Sequence, residues 1–185
     1  MEEEITRTYD IDKKPRTLKA EEIECRVGTI NGRGCSLLLY KDARVDMKIL
    51  DETYGVGNWQ RTHEVINDNL FCTIEIWNDR IKQWVKKQDV GTESYTEKEK
   101  GEASDSFKRA GFNVGIGREL YTSPFIWVSN KDCKIIGSSG KFKCFDKFEV
   151  AKILIDENKT ITALAIKNTT SNKIVFVKKP TEGAK

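Results

Sequence analysis

The sequence predicts an α+β fold in which an antiparallel β-meander is packed by a long helix, with an additional β-rich C-terminal segment. Three observations predict it. Alternating apolar stretches between residues 59 and 90 are separated by short turns rich in Asn and Asp. A helical pattern follows over about residues 97–113. Several further strand-like stretches come after Lys131.

The region before the meander is predicted to hold a flexible arm, two strands and a short helix. Residues 1–19 are polar and form the predicted arm. Glu21–Ile30 indicates a turn of helix running into a strand, and Ser36–Tyr40 follows a glycine-rich loop as a second strand. Asp42 is a candidate N-cap for a helix over about Ala43–Tyr54.

The meander and the long helix are predicted from two different periodicities. Alternation and turn residues predict three strands, namely Trp59–Ile66, Leu70–Trp77 and Ile81–Val90. Thr96 and Glu99 have the spacing of a capping box, which predicts a helix start at this point. One apolar face of this helix is expected to pack on the meander, through Ala103, Phe107, Ala110 and Val114.

The C-terminal part of the chain differs in composition from the rest. Residues 131–185 contain 12 Lys, no Arg and 6 acidic residues. The predicted strands after the long helix are Phe125–Val128, Phe142–Phe148, Glu149–Ile155, Thr160–Ile166 and Lys173–Lys178. We therefore predict three regions: the arm at 1–19, a core at 20–130 and a lysine-rich β segment at 131–185.

Overall composition excludes several classes of protein. With 32 basic and 29 acidic residues the net charge is +3, so the chain is neither a polycation nor an acidic disordered tail. No apolar run reaches the roughly 18 residues of a membrane-spanning helix, and the first residues do not resemble a signal peptide. We expect a soluble, cytoplasmic protein.

Catalytic and metal-binding motifs are missing from the sequence. The five cysteines include no C-x-x-C pair and the chain has a single histidine, His63, so we expect reduced thiols, no metal and no cofactor. One histidine also disfavours a nucleophile–histidine pair. The glycine clusters fit neither a P-loop nor a dinucleotide fingerprint. We interpret the chain as a non-enzyme; a metal-dependent nuclease using carboxylates such as Asp68 and Glu75 is the catalytic alternative.

Several cations are candidate phosphate ligands. Lys108 and Arg109 close the long helix, where they could equally complement its dipole or pair with Asp105. Arg26, predicted near the end of a strand beside a glycine-rich loop, is a natural phosphate ligand. The same two interpretations apply to Arg33 and to the pair Lys86 and Lys87.

A series of short segments resembles the Rad-fifty-two superfamily of single-strand annealing proteins, particularly its short bacteriophage and bacterial members. The resemblance covers about residues 20–128. The segments that carry it, in order, are Glu22–Arg26, Leu39–Val45, Tyr54–Trp59, Gln88–Ser94, Glu97–Ala110 and Gly115–Tyr121.

The resemblance implies ATP-independent binding of single-stranded DNA and annealing of complementary strands in homologous recombination and DNA repair. It also implies rings or helical filaments of identical subunits, a phage-encoded protein in a bacterial host, and a phage exonuclease or single-strand binding protein as partner. The family's inner DNA groove corresponds here to Arg26, Lys108 and Arg109, with Arg33, Lys86, Lys87 and Arg118 as additional candidate contacts.

The sequence departs from the family pattern at two positions. Phe112 stands where eukaryotic members carry another arginine, and Asn69 stands where they carry an outer-groove lysine. A second duplex-binding groove of the same form is therefore not expected. The alternative function within this resemblance is a protein that protects DNA 3′ ends and anneals poorly.

Overall fold

The computed structural model describes residues 13–92, 98–138 and 140–180. Over this part of the chain the fold is α+β, with two α-helices and antiparallel β-sheets. The helices are α1 (Ala43–Tyr54) and α2 (Lys98–Val114). The strands are β1 (Glu24–Asn31), β2 (Gly34–Tyr40), β3 (Trp59–Ile66), β4 (Asn69–Asn78), β5 (Gln83–Val90), β6 (Ile126–Ser129), β7 (Ile135–Ser138), β8 (Lys141–Cys144), β9 (Phe148–Ile155), β10 (Ile161–Asn168) and β11 (Lys173–Lys178).

These elements form two compact units, each built from two separate stretches of sequence. Among the described residues, unit one contains 13–16 and 43–116, and unit two contains 17–42 and 117–180. Unit one holds α1, α2 and β3–β5, and unit two holds the other strands. No helix in the described ranges is both long enough and apolar enough to cross a membrane.

Unit one confirms the predicted antiparallel meander, in the order β3-β4-β5. Asn67 and Asp68 both have positive φ, as a two-residue hairpin turn requires. The central strand β4 buries Cys72, Ile74 and Ile76, which all point to one face of the sheet. The predicted start of the third strand at Ile81 is wrong, because the turn extends through residue 82 and β5 begins at Gln83.

Helix α2 packs on that apolar face of the meander. Phe107 and Ala110 are fully buried, as the predicted apolar face requires, and the indole of Trp59 stacks on the Phe107 ring at 6.3 Å. The helix runs from Lys98 to Val114, while the predicted cap at Thr96 lies outside the described residues. Gly111 lets α2 approach α1, where a Cβ atom would meet Oδ1 of Asp46.

Unit two is dominated by a six-stranded sheet in the order β11-β10-β9-β1-β2-β6. Its edge strands β6 and β11 come close to each other, so the sheet is barrel-like and nearly closed. The interior is lined by residues from both ends of the unit, among them Leu37, Ile126, Ile161, Leu164 and Ile166. The lysine-rich segment therefore completes a sheet begun by β1 and β2.

One predicted strand in this segment is wrong. Phe142–Phe148 is not continuous: β8 ends at Cys144 and β9 begins at Phe148. Asp146 lies in the break, where one carboxylate oxygen accepts hydrogen bonds from the Lys134 backbone and from Asn168. Aromatic and lysine residues alternate across this loop, so the sequence pattern resembles one continuous strand. Strand β7 was not predicted from the sequence.

Candidate nucleic-acid interface

The solvent side of α2 carries the predicted Lys-Arg pair. Phe107 and Ala110 point into the core, and successive helical residues are rotated by about 100°. Lys108 and Arg109, between them, therefore lie outside the buried face of the helix and are half-buried. The pair occupies a ridge that a linear ligand can reach.

Arg109 forms an ion pair with a carboxylate of β5. Its Nε and one terminal nitrogen both lie 3.2 Å from Oδ1 of Asp89. Asn113 donates to the other carboxylate oxygen of Asp89 at 3.2 Å. Asp105, the partner considered from sequence, instead accepts hydrogen bonds from Thr92. The Arg109 side chain keeps 41% of its surface exposed, so a further ligand can reach it.

Lys87 lies on the same face of the meander as Asp89. The strand register pairs Lys87 with Ile74 on the helix-covered face, and side chains two residues apart share a face. Among the residues that the structure describes, neither Lys87 nor Lys108 forms an ion pair. Unit one therefore brings Lys87, Lys108 and Arg109 to the same side of the sheet.

Lys86 points to the opposite face and is committed to a carboxylate. Its Nζ lies 2.6 Å from Oε1 of Glu75, whose other oxygen accepts a hydrogen bond from Gln60. The hydrogen bonds from Lys86 and Gln60 lower the pKa of Glu75, and the same contact raises the pKa of Lys86. Neighbouring residues of a strand face opposite ways, so Lys86 and Lys87 cannot bind one ligand side by side.

Arg26 lies in unit two, three residues into β1. Arg26 is near one end of the strand, as expected, but the expectation that it lies beside the glycine-rich loop is wrong, because that loop follows the other end of β1. A terminal nitrogen of Arg26 lies 2.8 Å from Glu24, and the guanidinium is 4.9 Å from the centre of the Tyr40 ring. Arg26 also lines a cleft of about 380 Å³, together with Phe145 and Phe148.

Of the other candidate cations of unit two, Arg33 is separate from Arg26. Arg33 lies in the turn between β1 and β2, where its backbone N–H donates to Asn31 at 2.8 Å. Arg33 follows Arg26 by seven positions, and the five steps from Arg26 to Asn31 run along the strand, a span of roughly 17 Å. Arg118 is exposed and begins a 3₁₀ turn that ends at Thr122. The structure does not gather Arg26 and Arg33 into one contact site.

Of the residues considered for catalysis, His63 and Glu75 contact neighbouring residues. Nε2 of His63 lies 3.2 Å from the carbonyl oxygen of Ala103 on α2. Glu75 is held by Lys86 and Gln60, and Asp68 lies in the hairpin turn between β3 and β4.

Comparisons with protein-family models, curated proteins and solved structures found no match. The residues and their contacts, together with the sequence resemblance, are the support for the candidate interface.

Two features of the structure were not predicted from the sequence. Asp89 is the counter-ion of Arg109, and only the register of β5 against α2 reveals that contact. Three thiols also converge in unit two: Cys35, Cys133 and Cys144. The three cysteines are far apart in sequence, so a search for short metal-binding motifs does not find them. The pairing of β7 with β8 places Cys144 opposite Ile135, two residues after Cys133.

Proposed function

We propose that this chain binds single-stranded DNA and anneals complementary strands without ATP, as a homo-oligomeric ring or filament. The proposal rests first on the ordered segments resembling single-strand annealing proteins. The observation that carries it furthest is the exposed ridge of α2, where the Lys108 and Arg109 positions singled out by that resemblance lie beside each other.

The chemistry of the ridge suits the phosphate backbone. Arg109 offers a planar guanidinium held in orientation by Asp89, and Lys108 and Lys87 add ammonium groups. Contacts to phosphate fix the position of a strand and carry no sequence information. The bases of the bound strand thus stay available for pairing.

Annealing on such a surface needs no covalent step. Neutralised phosphates repel a second strand less, and holding one strand extended makes its pairing with the complement more probable on each encounter. Assembly of identical subunits would lengthen the surface beyond the few phosphates that one chain contacts. Arg26, with its exposed guanidinium over Tyr40, is the proposed contact from unit two.

The test combines binding and annealing by the full chain and its variants. Fluorescence anisotropy with a labelled oligonucleotide gives affinity across a salt series, and a quenched complementary pair reports annealing. The double variant Lys108→Ala/Arg109→Ala should weaken binding and lower the log–log salt slope by about 1.4, since each phosphate contact on a single strand contributes about 0.7. Annealing should slow in parallel.

The matched control removes one lysine elsewhere in unit one. Lys82 lies in the turn before β5, where its ammonium pairs with Asp79 at 3.2 Å, so Lys82→Ala should leave the salt slope unchanged. Equal slopes for the wild type and the double variant would refute the site. Tight binding of 3′ ends without annealing by the wild type would instead support the end-protection alternative.

A further inference from the structure

Three cysteine sulfurs of unit two form one compact cluster. The Sγ atoms of Cys35, Cys133 and Cys144 all lie within 4.8 Å of one another, and those of Cys35 and Cys133 are 4.0 Å apart. Cys35 and Cys133 are buried and Cys144 is half-buried. Cys144 is therefore the most exposed residue of the three.

Each thiol is positioned by a different hydrogen-bonded element. Cys35 lies on β2 and pairs in register with Val128 of β6. Cys133 follows β6 in a tight turn, with its backbone N–H donating to Ser129 at 3.1 Å. Cys144 ends β8. Three backbone segments thus hold the sulfurs together before any ligand binds.

A second layer of hydrogen bonds fixes the segments on which two of the thiols lie. Oδ2 of Asp146 accepts from the backbone of Lys134, next to Cys133, and from the side chain of buried Asn168. The same Asn168 nitrogen donates to the carbonyl of Asp132 on the other side of Cys133. These hydrogen bonds hold the backbone in place on both sides of Cys133.

The spacing of the sulfurs suits a metal better than a disulfide. Zinc–sulfur bonds of 2.3 Å in a tetrahedron place ligand sulfurs about 3.8 Å apart, which requires little movement from the observed distances. A disulfide bond requires two sulfurs to approach to about 2.05 Å.

We propose that Cys35, Cys133 and Cys144 form a Zn²⁺ site, with three thiolate ligands and a water in the fourth position. On binding, each S–H bond gives its proton to solvent and each sulfur donates an electron pair to the ion; no oxidant or reductant is needed. The ion joins β2, the turn after β6 and the β7–β8 hairpin of unit two. This inference is independent of DNA binding.

The experiment titrates the reduced, metal-stripped full chain with Zn²⁺ against a chromogenic chelator. We expect one Zn²⁺ per chain and a higher thermal transition temperature, and Co²⁺ in its place should give a thiolate charge-transfer absorption band. Cys133→Ala should weaken Zn²⁺ binding by about 100-fold or more, beyond the effect of losing a supporting contact. Cys72→Ala, which removes a buried thiol of unit one, is the matched control and should bind normally.

Two results would overturn the proposal: no stoichiometric Zn²⁺ in the reduced wild-type chain, or equal affinity in the wild type and the cluster variants. If Cys133→Ala fails to fold, Cys144→Ser at the half-buried position supplies the comparison. The Co²⁺ spectrum of the wild type requires no variant. Peptide mapping that finds a Cys35–Cys133 disulfide, together with no Zn²⁺ uptake after reduction, would replace the metal site with a redox pair.

Discussion

Individual cations of this chain differ in how firmly neighbouring carboxylates hold them. Arg109 shares Asp89 with Asn113, Arg26 is paired with Glu24, and Lys86 is paired with Glu75. A phosphate that binds such a cation competes with the carboxylate already present. Surface pairs of this kind contribute only about 0–1 kcal/mol, so the competition is one that a phosphate can win.

Removing the counter-charge of Arg109 should therefore strengthen DNA binding. Asp89→Asn keeps an oxygen that Asn113 can bond, but it removes the negative charge facing the guanidinium. We expect about two- to fivefold tighter binding of a single-stranded oligonucleotide at low salt, the equivalent of one surface ion pair. Anisotropy titrations measure the affinity of the variant for the oligonucleotide. Weaker binding by Asp89→Asn would mean that Asp89 matters more for orienting Arg109 than for competing with phosphate.

Glu75 gives unit one a pH-dependent contribution to stability. Hydrogen bonds from Lys86 and Gln60 lower its pKa below the ordinary value near 4.5. A carboxyl with a lowered pKa in the folded state stabilises the fold fully above its unfolded pKa, and that contribution is lost as pH falls through the folded value. Glu75→Gln should have a lower thermal transition temperature than the wild type at pH 7. The difference between the two transition temperatures should become smaller below about pH 4.5.

The control for that measurement is Lys86→Ala, which removes the cation and should show the same narrowing. Thermal unfolding followed by circular dichroism at several pH values provides both curves. A gap that stays constant from pH 7 to pH 3 would show that Glu75 acts through packing and not through its charge.

At the scale of secondary-structure elements, the contact between the end of β5 and α2 depends on a glycine. Gly91 donates its backbone N–H to Leu70, and a Cβ atom there would clash with the carbonyl oxygen of Glu102 on α2. Because that oxygen belongs to the helix backbone, the clash can be removed only if the helix moves. The same helix carries Lys108 and Arg109, and its position on the sheet sets theirs.

Gly91→Ala should therefore destabilise unit one by about 1–3 kcal/mol, the usual cost of overpacking. Gly57→Ala is the matched control, because a Cβ atom at Gly57 has no heavy atom within 4 Å. Chemical denaturation followed by tryptophan fluorescence compares the two. An effect of Gly91→Ala no larger than that of the control would mean that α2 can shift without cost.

Sequence periodicity predicted the elements that have one clear face and a clear turn. The strand Trp59–Ile66 and the helix Ala43–Tyr54 agree with the structure residue for residue. Phe142–Phe148 failed because its alternation continues across a loop that hydrogen bonds from distant Lys134 and Asn168 stabilise. Contacts such as Arg109–Asp89 depend on how one element packs on another, which local pattern does not encode.

At the scale of the whole molecule, the division into two units cuts across the three regions predicted from composition. Unit one is formed mainly by a continuous stretch, 43–116, inserted between the two parts of unit two. In unit two, β1 and β2 come from the first part, whereas β6 and β9–β11 come from the second. Completing this sheet thus requires pairing between residues far apart in sequence, such as Glu24 with Glu149.

Truncation after Asn130 should therefore affect the two units differently. It removes β9, β10 and β11 from the six-stranded sheet, together with the buried Ile161, Leu164 and Ile166, and it leaves β1 with an unpaired edge. Unit one loses no residue. Hydrogen exchange read by mass spectrometry should show lost protection in β1 and β2 and retained protection in β4 and α2.

A chain truncated after Pro180 keeps all six strands and is the matched control, expected to exchange like the full chain. Native-like protection of β1 and β2 in the shorter chain would mean that the predicted core at 20–130 folds without the lysine-rich segment. Loss of protection throughout both units would mean that unit one depends on unit two for its stability. The expected pattern, with loss confined to unit two, follows because each strand of the β3-β4-β5 meander pairs within unit one.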